Sequence, residues 1–277
     1  RGFHGSKPAR VESPDYGRDG YDAVEWIAAQ DWCDGKVGTW GQSALGRVQY
    51  WTAAYGPPHL ACMVPIVASI ANFHGNYYVG GVLRKEYVEL LERLGFGGLA
   101  RPIREHPERD AYWRDVESRP EGASVRVPVL QIGGWYDLFP AGMIESFARV
   151  PEAHLVMGPW DHHEAASREF SRNEAARFLE HHLRAPNGWE RTPRERVFQM
   201  GEERWLDGWP GESERRTIRL GGGEFVHDPD HPVPTIGGAN LDPKLNPGPR
   251  DQARLLRRED VLVLEAASDV RLSGAAR

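Results

Sequence analysis

Short apolar runs alternate with amphipathic segments along the first two thirds of this chain. The runs at residues 60–67 and 129–132 have the length and the β-branched content of buried strands. Residues 21–30 place four apolar side chains at helical spacing, and residues 44–55 and 139–150 are predicted helices as well. The alternation predicts strand–helix–strand units, the building blocks of an α/β fold.

The pattern changes twice further on. Charged helices, notably residues 83–94, are followed by a glycine cluster and prolines, which indicates an inserted helical cap. Residues 167–183 predict an amphipathic helix that closes the core. Glycine, proline and short strands then dominate, with strands expected at residues 197–200, 217–220 and 261–264. The predicted division is a core of residues 1–68 and 123–192, a cap of residues 69–122 and a β domain of residues 193–277.

The most informative segment joins an apolar run to a serine between closely spaced glycines, Gly41-Gln-Ser43-Ala-Leu-Gly46. It predicts a strand, a sharp turn that carries Ser43, and a helix. Glycines beside such a turn let the strand and the helix cross without Cβ clashes, and the turn presents the hydroxyl for attack. Ser43 is therefore a candidate nucleophile, which requires a histidine base and a carboxylate to orient it.

Both partners follow in the order Ser, Asp, His, each just after a predicted strand. Asp137 comes after the run that ends in Gly133-Gly134, and His162 comes after the run that breaks at Gly158-Pro159. Open α/β sheets place their sites at this carboxyl edge. The separation of Asp137 from His162 fits one strand–helix–strand step, and that of Ser43 from Asp137 leaves room for an insertion.

Each signal has a simpler explanation when taken alone. The serine motif occurs by chance in loops. Asp137 is also a reasonable N-cap for the helix that follows, and His163 competes with His162 as the base. The three signals in the right order are the reason for preferring a catalytic triad of Ser43, Asp137 and His162.

The motifs together resemble the CocE/NonD family of serine hydrolases, the group of cocaine esterase and the X-Pro dipeptidyl-peptidases (S15). The resemblance implies the triad roles given above and an α/β-hydrolase core with an inserted helical cap and a C-terminal β jelly roll. It covers nearly the whole chain. The segments that carry it are Trp32-Cys-Asp-Gly-Lys-Val-Gly38, Gly41-x-Ser43-x-x-Gly46, Gly134-Trp-Tyr-Asp137, Gly158-Pro-Trp-x-His162, Arg1-Gly2 with Ser6, and Asp228-Pro-x-x-Pro-Val-Pro234 with Gly237-Gly238.

Two departures from the family pattern bear on the chemistry. Family members usually carry Tyr after the nucleophile, whereas this chain has Ala44, whose backbone N–H is still available to an oxyanion hole. The family's other oxyanion donor, a tyrosine hydroxyl, would lie upstream of Arg1. We therefore expect the sequence to be incomplete at both ends, with early core strands and part of the jelly roll missing.

Several aromatic residues are candidates for an acyl or prolyl pocket. For those beside the triad candidates the alternative is packing of the core under the site, and for Phe73 it is a solvated loop. The candidate pocket residues are Trp40, Trp135, Tyr136, Trp160 and, at the start of the cap, Phe73. Glu86, Glu89 and Glu92 could bind an α-amine if they face inward, and otherwise form a solvated helix face. Trp205 and Trp209 could form a carbohydrate platform or pack at a domain junction.

Composition favours an ordinary enzyme of 277 residues with a net charge of −6, which gives no basic footprint for nucleic acid. No apolar run is long enough to span a membrane. The two cysteines, Cys33 and Cys62, are expected to be buried thiols, and the His181-His182 pair lacks a matched metal pattern. We expect no cofactor or metal, a small ester or short peptide as substrate, and a cytoplasmic location with secretion as the alternative; a homodimer is the candidate assembly. The resemblance allows an ester, an X-Pro peptide bond or the acyl side chain of a β-lactam as the bond that is cleaved, and an ester is favoured. The alternative from another class is a non-catalytic protein whose jelly roll binds a polymer or a partner.

Overall fold

A computed structural model describes residues 5, 15–118, 125–209, 221–241 and 246–264. The helices are α1 (Tyr16–Ala28), α2 (Ala44–Ala54), α3 (Lys85–Arg93), α4 (Gly97–Glu105), α5 (Ala111–Ser118), α6 (Pro140–Arg149), α7 (Glu164–Ser167) and α8 (Glu169–Leu183). The strands are β1 (Val37–Gln42), β2 (Leu60–Ile66), β3 (Tyr78–Val79), β4 (Val82–Leu83), β5 (Val129–Gly134), β6 (Ala153–Gly158), β7 (Glu195–Gln199) and β8 (Arg204–Asp207). The helices and strands therefore alternate, as an α/β fold requires.

The main sheet has six strands in the order β1-β2-β5-β6-β7-β8. The first five are parallel, and β8 returns antiparallel to β7. Parallel strands need long crossovers, which α2 supplies between β1 and β2, and α6 between β5 and β6. The carboxyl ends of β1, β5 and β6 consequently share one edge of the sheet.

Two apolar clusters cover the two faces of the sheet. Strand residues that alternate along β2, β5 and β6 point to opposite sides, so each strand contributes to both clusters. Met63, Val129 and Ala153 pack with Tyr50 of α2 and Val24 of α1 on one face. On the other face α8 inserts Ala175 and Phe178 among Val64, Leu130, Ile132 and Val156. The result is a sheet between helical layers.

The segment between β2 and β5 forms the cap. A π-helix, Phe73–Tyr77, leads into the hairpin of β3 and β4, whose two turn residues Gly80 and Gly81 have φ of 62° and 84°. Positive φ at both positions defines the tight turn that suits two-stranded hairpins and explains the glycine pair. Helices α3, α4 and α5 follow, and the aromatic core around Trp113 packs onto Leu138 and Phe139 of the loop between β5 and α6.

The structure differs from the sequence expectation at β7. Residues 197–200 were expected to begin a separate β domain, whereas β7 pairs with β6 in the main sheet. Val197 is buried beside Leu155 and Met157 of β6, and Arg196 pairs with the buried Glu174 of α8 at 3.1 Å. Apolar burial and an ion pair to α8 therefore hold β7 in the core sheet.

Other predicted elements shift or fail. The helix expected at residues 167–183 is confirmed as α8 and begins two residues later, at Glu169, because Arg168 is extended, with ψ of 138°. The strand expected at residues 261–264 does not form: Leu262, Val263 and Leu264 remain 38–44 % exposed without a pairing strand among the described residues. The strand expected at residues 217–220 lies outside the described residues. The other predicted helix and strand bounds agree to within a few residues.

No helix in the described part of the chain has both the length and the apolar character to cross a bilayer.

Candidate active site

Ser43 occupies a sharp turn between β1 and α2. Its φ of 58° and ψ of −120° lie in a region that non-glycine residues rarely adopt. Its N–H donates to the Ile66 carbonyl of β2 at 2.8 Å, and its own carbonyl accepts from Gly46 and Arg47 at 2.9 Å. Three backbone hydrogen bonds therefore hold the turn in a conformation that costs roughly 1–3 kcal/mol by itself.

Glycines make this turn possible at two crossing points. A Cβ on Gly41 would lie 2.6 Å from Cβ of Leu45, and one on Gly46 would lie 2.6 Å from Cβ of Ala68. Both distances are far below van der Waals contact, so strand and helix approach closely only because these positions lack side chains. The local sequence thus dictates the elbow that its glycine spacing predicts.

Asp137 and His162 are in direct contact at the same edge of the sheet. Oδ1 of Asp137 lies 2.6 Å from Nδ1 of His162, and the two side chains are 0 % and 8 % exposed. Oδ2 of Asp137 accepts from the backbone N–H of Phe139 at 3.0 Å, and the Phe139 ring meets the imidazole edge-on at 5.8 Å. The carboxylate is therefore buried and positioned to fix both the tautomer and the orientation of the imidazole.

The sequence left two alternatives, Asp137 as a helix N-cap and His163 as the base. The N-cap residue of α6 is Phe139, not Asp137. His163 is exposed, and its Nε2 lies 3.4 Å from the carbonyl of Leu241, on the side of the C-terminal segment. Of the two neighbouring histidines, His162 is the one in contact with the buried carboxylate.

Gln42 links the serine turn to the histidine loop. Its side-chain amide donates to the backbone carbonyl of His162, 120 residues further along the chain. The residue directly before Ser43 thus contacts the candidate base. The Ser43 hydroxyl itself has no hydrogen bond to any residue that the structure describes.

The remaining predicted site residues have varied surroundings. Ala44 is exposed and begins α2, where the first N–H groups of a helix lack intrahelical partners. Trp40 of β1 is 53 % exposed, and Trp135 donates its indole N–H to the carbonyl of Phe198 at 2.8 Å. Tyr136 is partly buried and lies against Gly248, and burial raises the pKa of its phenol, helped by Glu203 and Glu164.

Trp160 and Phe73 are core residues. Trp160 is 5 % exposed and packs against Trp205 and Phe170 in the cluster on the α8 face of the sheet. Phe73 is 4 % exposed and stacks on Tyr78 at 4.8 Å inside the cap. The burial of Trp160 fits the packing explanation, whereas the burial of Phe73 contradicts a solvated loop. That the whole set lines a pocket stays a prediction.

A cluster of one arginine and two tyrosines lies beside the elbow and was not predicted from the sequence. Arg47, one helical turn after Ser43, donates to the Tyr77 hydroxyl at 2.8 Å and to Oδ1 of Asn72, and lies over the Trp51 ring. Burial raises the pKa of the neighbouring Tyr87 phenol to about 12. The cluster joins α2 to the cap. An arginine four residues after the serine does not by itself predict these contacts from the sequence.

Arg84 is a second cation close to the site. It donates to the carbonyl of Leu138 at 3.0 Å and lies 6.0 Å from the centre of the Phe139 ring. Burial lowers its pKa, and the negative charges of Glu86 and Asp137 oppose that shift. Arg84 thereby anchors the cap to the loop that carries Asp137.

The described residues show no metal-binding cluster, and one cavity lies beside the cap. No group of three or more His, Cys, Asp or Glu side chains in the described ranges could hold a metal ion. A cavity of about 250 Å³ lies at the junction of the cap and α6. Its lining residues are Ala71, His74, Arg109, Glu145 and Arg149.

The fold is of the α/β-hydrolase type, with a serine turn and an aspartate–histidine pair at the carboxyl edge of the sheet. Solved structures of a CocE/NonD family hydrolase from Staphylococcus aureus and of an aminopeptidase from a marine Thaumarchaeota archaeon share it, each with a TM-score of 0.64. Their identities are 24 % and 22 %, over 75 % and 84 % of this chain and 40 % and 53 % of theirs. The likeness therefore concerns the fold.

The family follows from sequence. The profile of the X-Pro dipeptidyl-peptidase (S15) family matches residues 1–98 and 97–164, and the chain belongs to this family. Cocaine esterase from Rhodococcus is 27 % identical over an alignment of 354 positions, which covers 95 % of this chain and 62 % of that protein. A putative serine esterase of Mycobacterium tuberculosis is 34 % identical over 36 % of this chain and 17 % of its own length.

These matches confirm the family predicted from the motifs and indicate a serine hydrolase. The chain spans less than two thirds of the length of these relatives.

Proposed function

We propose that this protein hydrolyses carboxylic esters, or related acyl and amide bonds, through an acyl-enzyme formed on Ser43. The observation that carries the proposal is the buried contact of 2.6 Å between Asp137 and His162, linked through Gln42 to the turn that presents Ser43. A serine hydroxyl is a weak nucleophile without such a base. The membership of the S15 family and the similarity to esterases agree with this chemistry.

The proposed mechanism assigns one task to each side chain. His162 takes the proton of Ser43 as the oxygen attacks the carbonyl carbon, and then gives that proton to the leaving group. Asp137 holds the imidazole in the required tautomer and stabilises the imidazolium. Water then attacks the acyl-enzyme with the same base, which releases the acid and restores Ser43.

The oxyanion of each tetrahedral intermediate needs preorganised donors. The backbone N–H of Ala44 is the proposed donor, since it begins α2 directly after the nucleophile. The positive end of the α2 dipole also favours negative charge there. The family resemblance implies a tyrosine hydroxyl as the second donor.

An ester is favoured over the alternative substrate, an X-Pro peptide. Binding of a peptide's α-amine would need a free carboxylate in the cap, and α3 offers Glu86, Glu89 and Glu92. Glu89 pairs with Lys85 at 3.7 Å, and Glu92 pairs with Arg104 at 3.0 Å on the exposed side of the cap. These two carboxylates already have cationic partners within the cap, which leaves them less available to an α-amine.

A jelly-roll domain after the core is part of the proposal. An antiparallel bridge between Gly238 and Gly248, with N–O distances of 2.8 and 2.9 Å, supports β structure in this part of the chain. The rival view, a non-catalytic protein that binds a polymer through this region, gains little from Trp205 and Trp209. Trp205 packs on Phe170, and Trp209 packs on Trp135. The domain bounds, the cytoplasmic location and a homodimer stay predictions.

The test compares hydrolysis of p-nitrophenyl acetate with that of Gly-Pro p-nitroanilide. Ser43→Ala is the blank, and Ser167→Ala, an exposed serine of α7, is the matched control. We expect ester turnover that disappears in Ser43→Ala and persists in Ser167→Ala. Cleavage of the anilide alone would favour the peptidase alternative. Rates equal to the blank for both substrates would reject the catalytic proposal and favour the binding protein.

A further inference from the structure

The loop after β6 must cross the sheet to bring His162 to the elbow. The order β1-β2-β5-β6 separates the strands that precede Ser43 and His162 by three strand spacings, about 14 Å in all. The contact between the Gln42 amide and the His162 carbonyl closes this gap at the carboxyl edge. Gln42 is the last residue of β1, so its main chain is held by the β2 register, in which it pairs with Ile66.

His162 is thereby held at two different points. The Asp137 carboxylate contacts ring atom Nδ1, which fixes how the imidazole is turned. The Gln42 amide contacts the main-chain carbonyl, which fixes where the residue stands relative to β1 and Ser43. The two restraints are independent, because Asp137 follows β5, the neighbour of β6, whereas Gln42 ends β1, three strands away from β6.

We propose that Gln42 is a positioning residue that sets the distance between the nucleophile Ser43 and the base His162. This inference rests on the proposed function and goes beyond it, since a triad alone needs no polar residue before the serine. Misplacement of catalytic groups by about 1 Å can cost on the order of a hundredfold in rate. A donor at residue 42 that reaches the histidine loop would therefore act on kcat rather than on substrate binding.

Gln49 provides the contrast between positioning and support. It is 3 % exposed, and its amide donates to the carbonyls of Leu45 at 3.0 Å and Val64 at 3.3 Å. Its oxygen accepts from the Thr39 hydroxyl at 3.0 Å. Gln49 supports the elbow through hydrogen bonds to residues of β1, α2 and β2. Its loss should weaken the fold, whereas loss of the Gln42 amide should move the base.

The experiment measures kcat and KM for p-nitrophenyl acetate from pH 5 to 9 in Gln42→Met, Gln42→Glu and Gln42→Asn. Gln42→Met keeps the length and removes the donor, and we expect kcat to fall by about 10- to 100-fold with KM within about twofold. Gln42→Glu replaces the donor by a carboxylate, which the His162 carbonyl repels, and adds a negative charge beside the His162 main chain. The acid limb of kcat/KM should therefore move up by about half a pH unit or more. Gln42→Asn keeps the donor but loses reach, so its kcat should resemble that of Gln42→Met.

The control is Gln30, a partly exposed glutamine of the loop after α1 whose amide donates to the Trp26 carbonyl at 2.7 Å. Gln30→Met and Gln30→Glu should leave kcat and the acid limb unchanged. Thermal melting of every variant separates a displaced base from a loss of folded protein. If Gln42→Met retains kcat within twofold, or if its loss of activity only parallels a loss of folded protein while the acid limb of Gln42→Glu is unmoved, the proposal is wrong.

A second readout separates this inference from the proposed function. The pKa of His162 can be followed by NMR in Ser43→Ala and in Ser43→Ala with Gln42→Glu, which requires no turnover. A raised pKa in the double variant supports the contact even if neither substrate is hydrolysed, and that lack of hydrolysis would reject the proposed function alone. An unchanged pKa would overturn the role of Gln42.

Discussion

Oδ1 of Asp137 and Nδ1 of His162 lie 2.6 Å apart, although the two residues are 25 positions apart and follow different strands. The contact exists because β5 and β6 are parallel neighbours whose carboxyl ends face the same way. Burial of the carboxylate excludes water from the pair and strengthens the interaction.

The Asp137–His162 contact predicts the effect of Asp137→Asn. The amide cannot hold the imidazole in the tautomer that accepts the serine proton, so kcat should fall by about a thousand- to ten-thousand-fold. Steady-state kinetics on the ester substrate would measure this. Asp34→Asn changes an exposed carboxylate that accepts from the Lys36 N–H, and it should leave kcat unaffected. Comparable activity of Asp137→Asn and the unmodified protein would exclude Asp137 from the mechanism.

The elbow predicts a steric effect at Gly46. Gly46→Ala places a methyl group 2.6 Å from Cβ of Ala68 and 3.0 Å from the Gly41 carbonyl, so strand or helix must shift. We expect a loss of about 1–3 kcal/mol in the free energy of unfolding, measured with urea. Gly97→Ala is the control, since nothing lies within 4 Å of its added Cβ. Equal stability of both variants would mean that the elbow is less tightly packed than described.

The cluster around Arg47 predicts a loss of stability. Arg47→Met leaves the Tyr77 hydroxyl and the Asn72 side-chain oxygen without their shared donor. An unsatisfied buried polar group costs about 1–3 kcal/mol, and urea unfolding should report a loss of that size. Arg47→Lys keeps the charge but cannot reach both acceptors from one planar group, so it should recover only part of the loss. Full recovery by lysine would show that charge, and not geometry, is what matters.

His182 predicts a dependence of stability on pH. Burial, with the charges of His181 and His154, lowers the pKa of His182 to about 4 in the folded protein, against about 6.5 for an ordinary histidine. Between these values the unfolded chain binds the proton more readily, so stability falls as the pH drops from about 6.5 to about 4. Urea midpoints at pH 7 and pH 5 should differ more in the unmodified protein than in His182→Gln. An equal difference in both would assign the acid sensitivity to other groups.

The sequence predicts those parts of the molecule in which side-chain pattern and backbone geometry coincide. Gly41 and Gly46 indicate the elbow because no other residue fits its crossing points. The α/β core was predictable because short β-branched runs between turn residues favour strands, and apolar residues at helical spacing favour helices. The change from apolar runs to charged helices likewise predicted helices between β2 and β5, where α3, α4 and α5 lie.

What the sequence did not reveal depends on contacts between distant segments. Gln42 looks like any polar residue at a strand end, and only the fold brings it to His162. Trp160 seemed as suitable for a pocket as for a core, and its burial against Trp205 is decided by where β8 joins the sheet. Strand β7 was assigned to another domain because a short run of five residues does not tell which sheet it will enter.

The order of the strands also sets the order in which the site can be assembled during synthesis. The Ser43 turn is complete once β2 has emerged from the ribosome, because Ile66 supplies the acceptor for its N–H. Asp137 and His162 follow only after the cap and two further strands have been made. On the proposed mechanism, a nascent or prematurely terminated chain that stops short of residue 162 carries a shaped but unactivated serine. Hydrolytic activity would thus begin only after most of the core sheet has formed. An incomplete chain would lack the base that activates the serine and would not hydrolyse substrates.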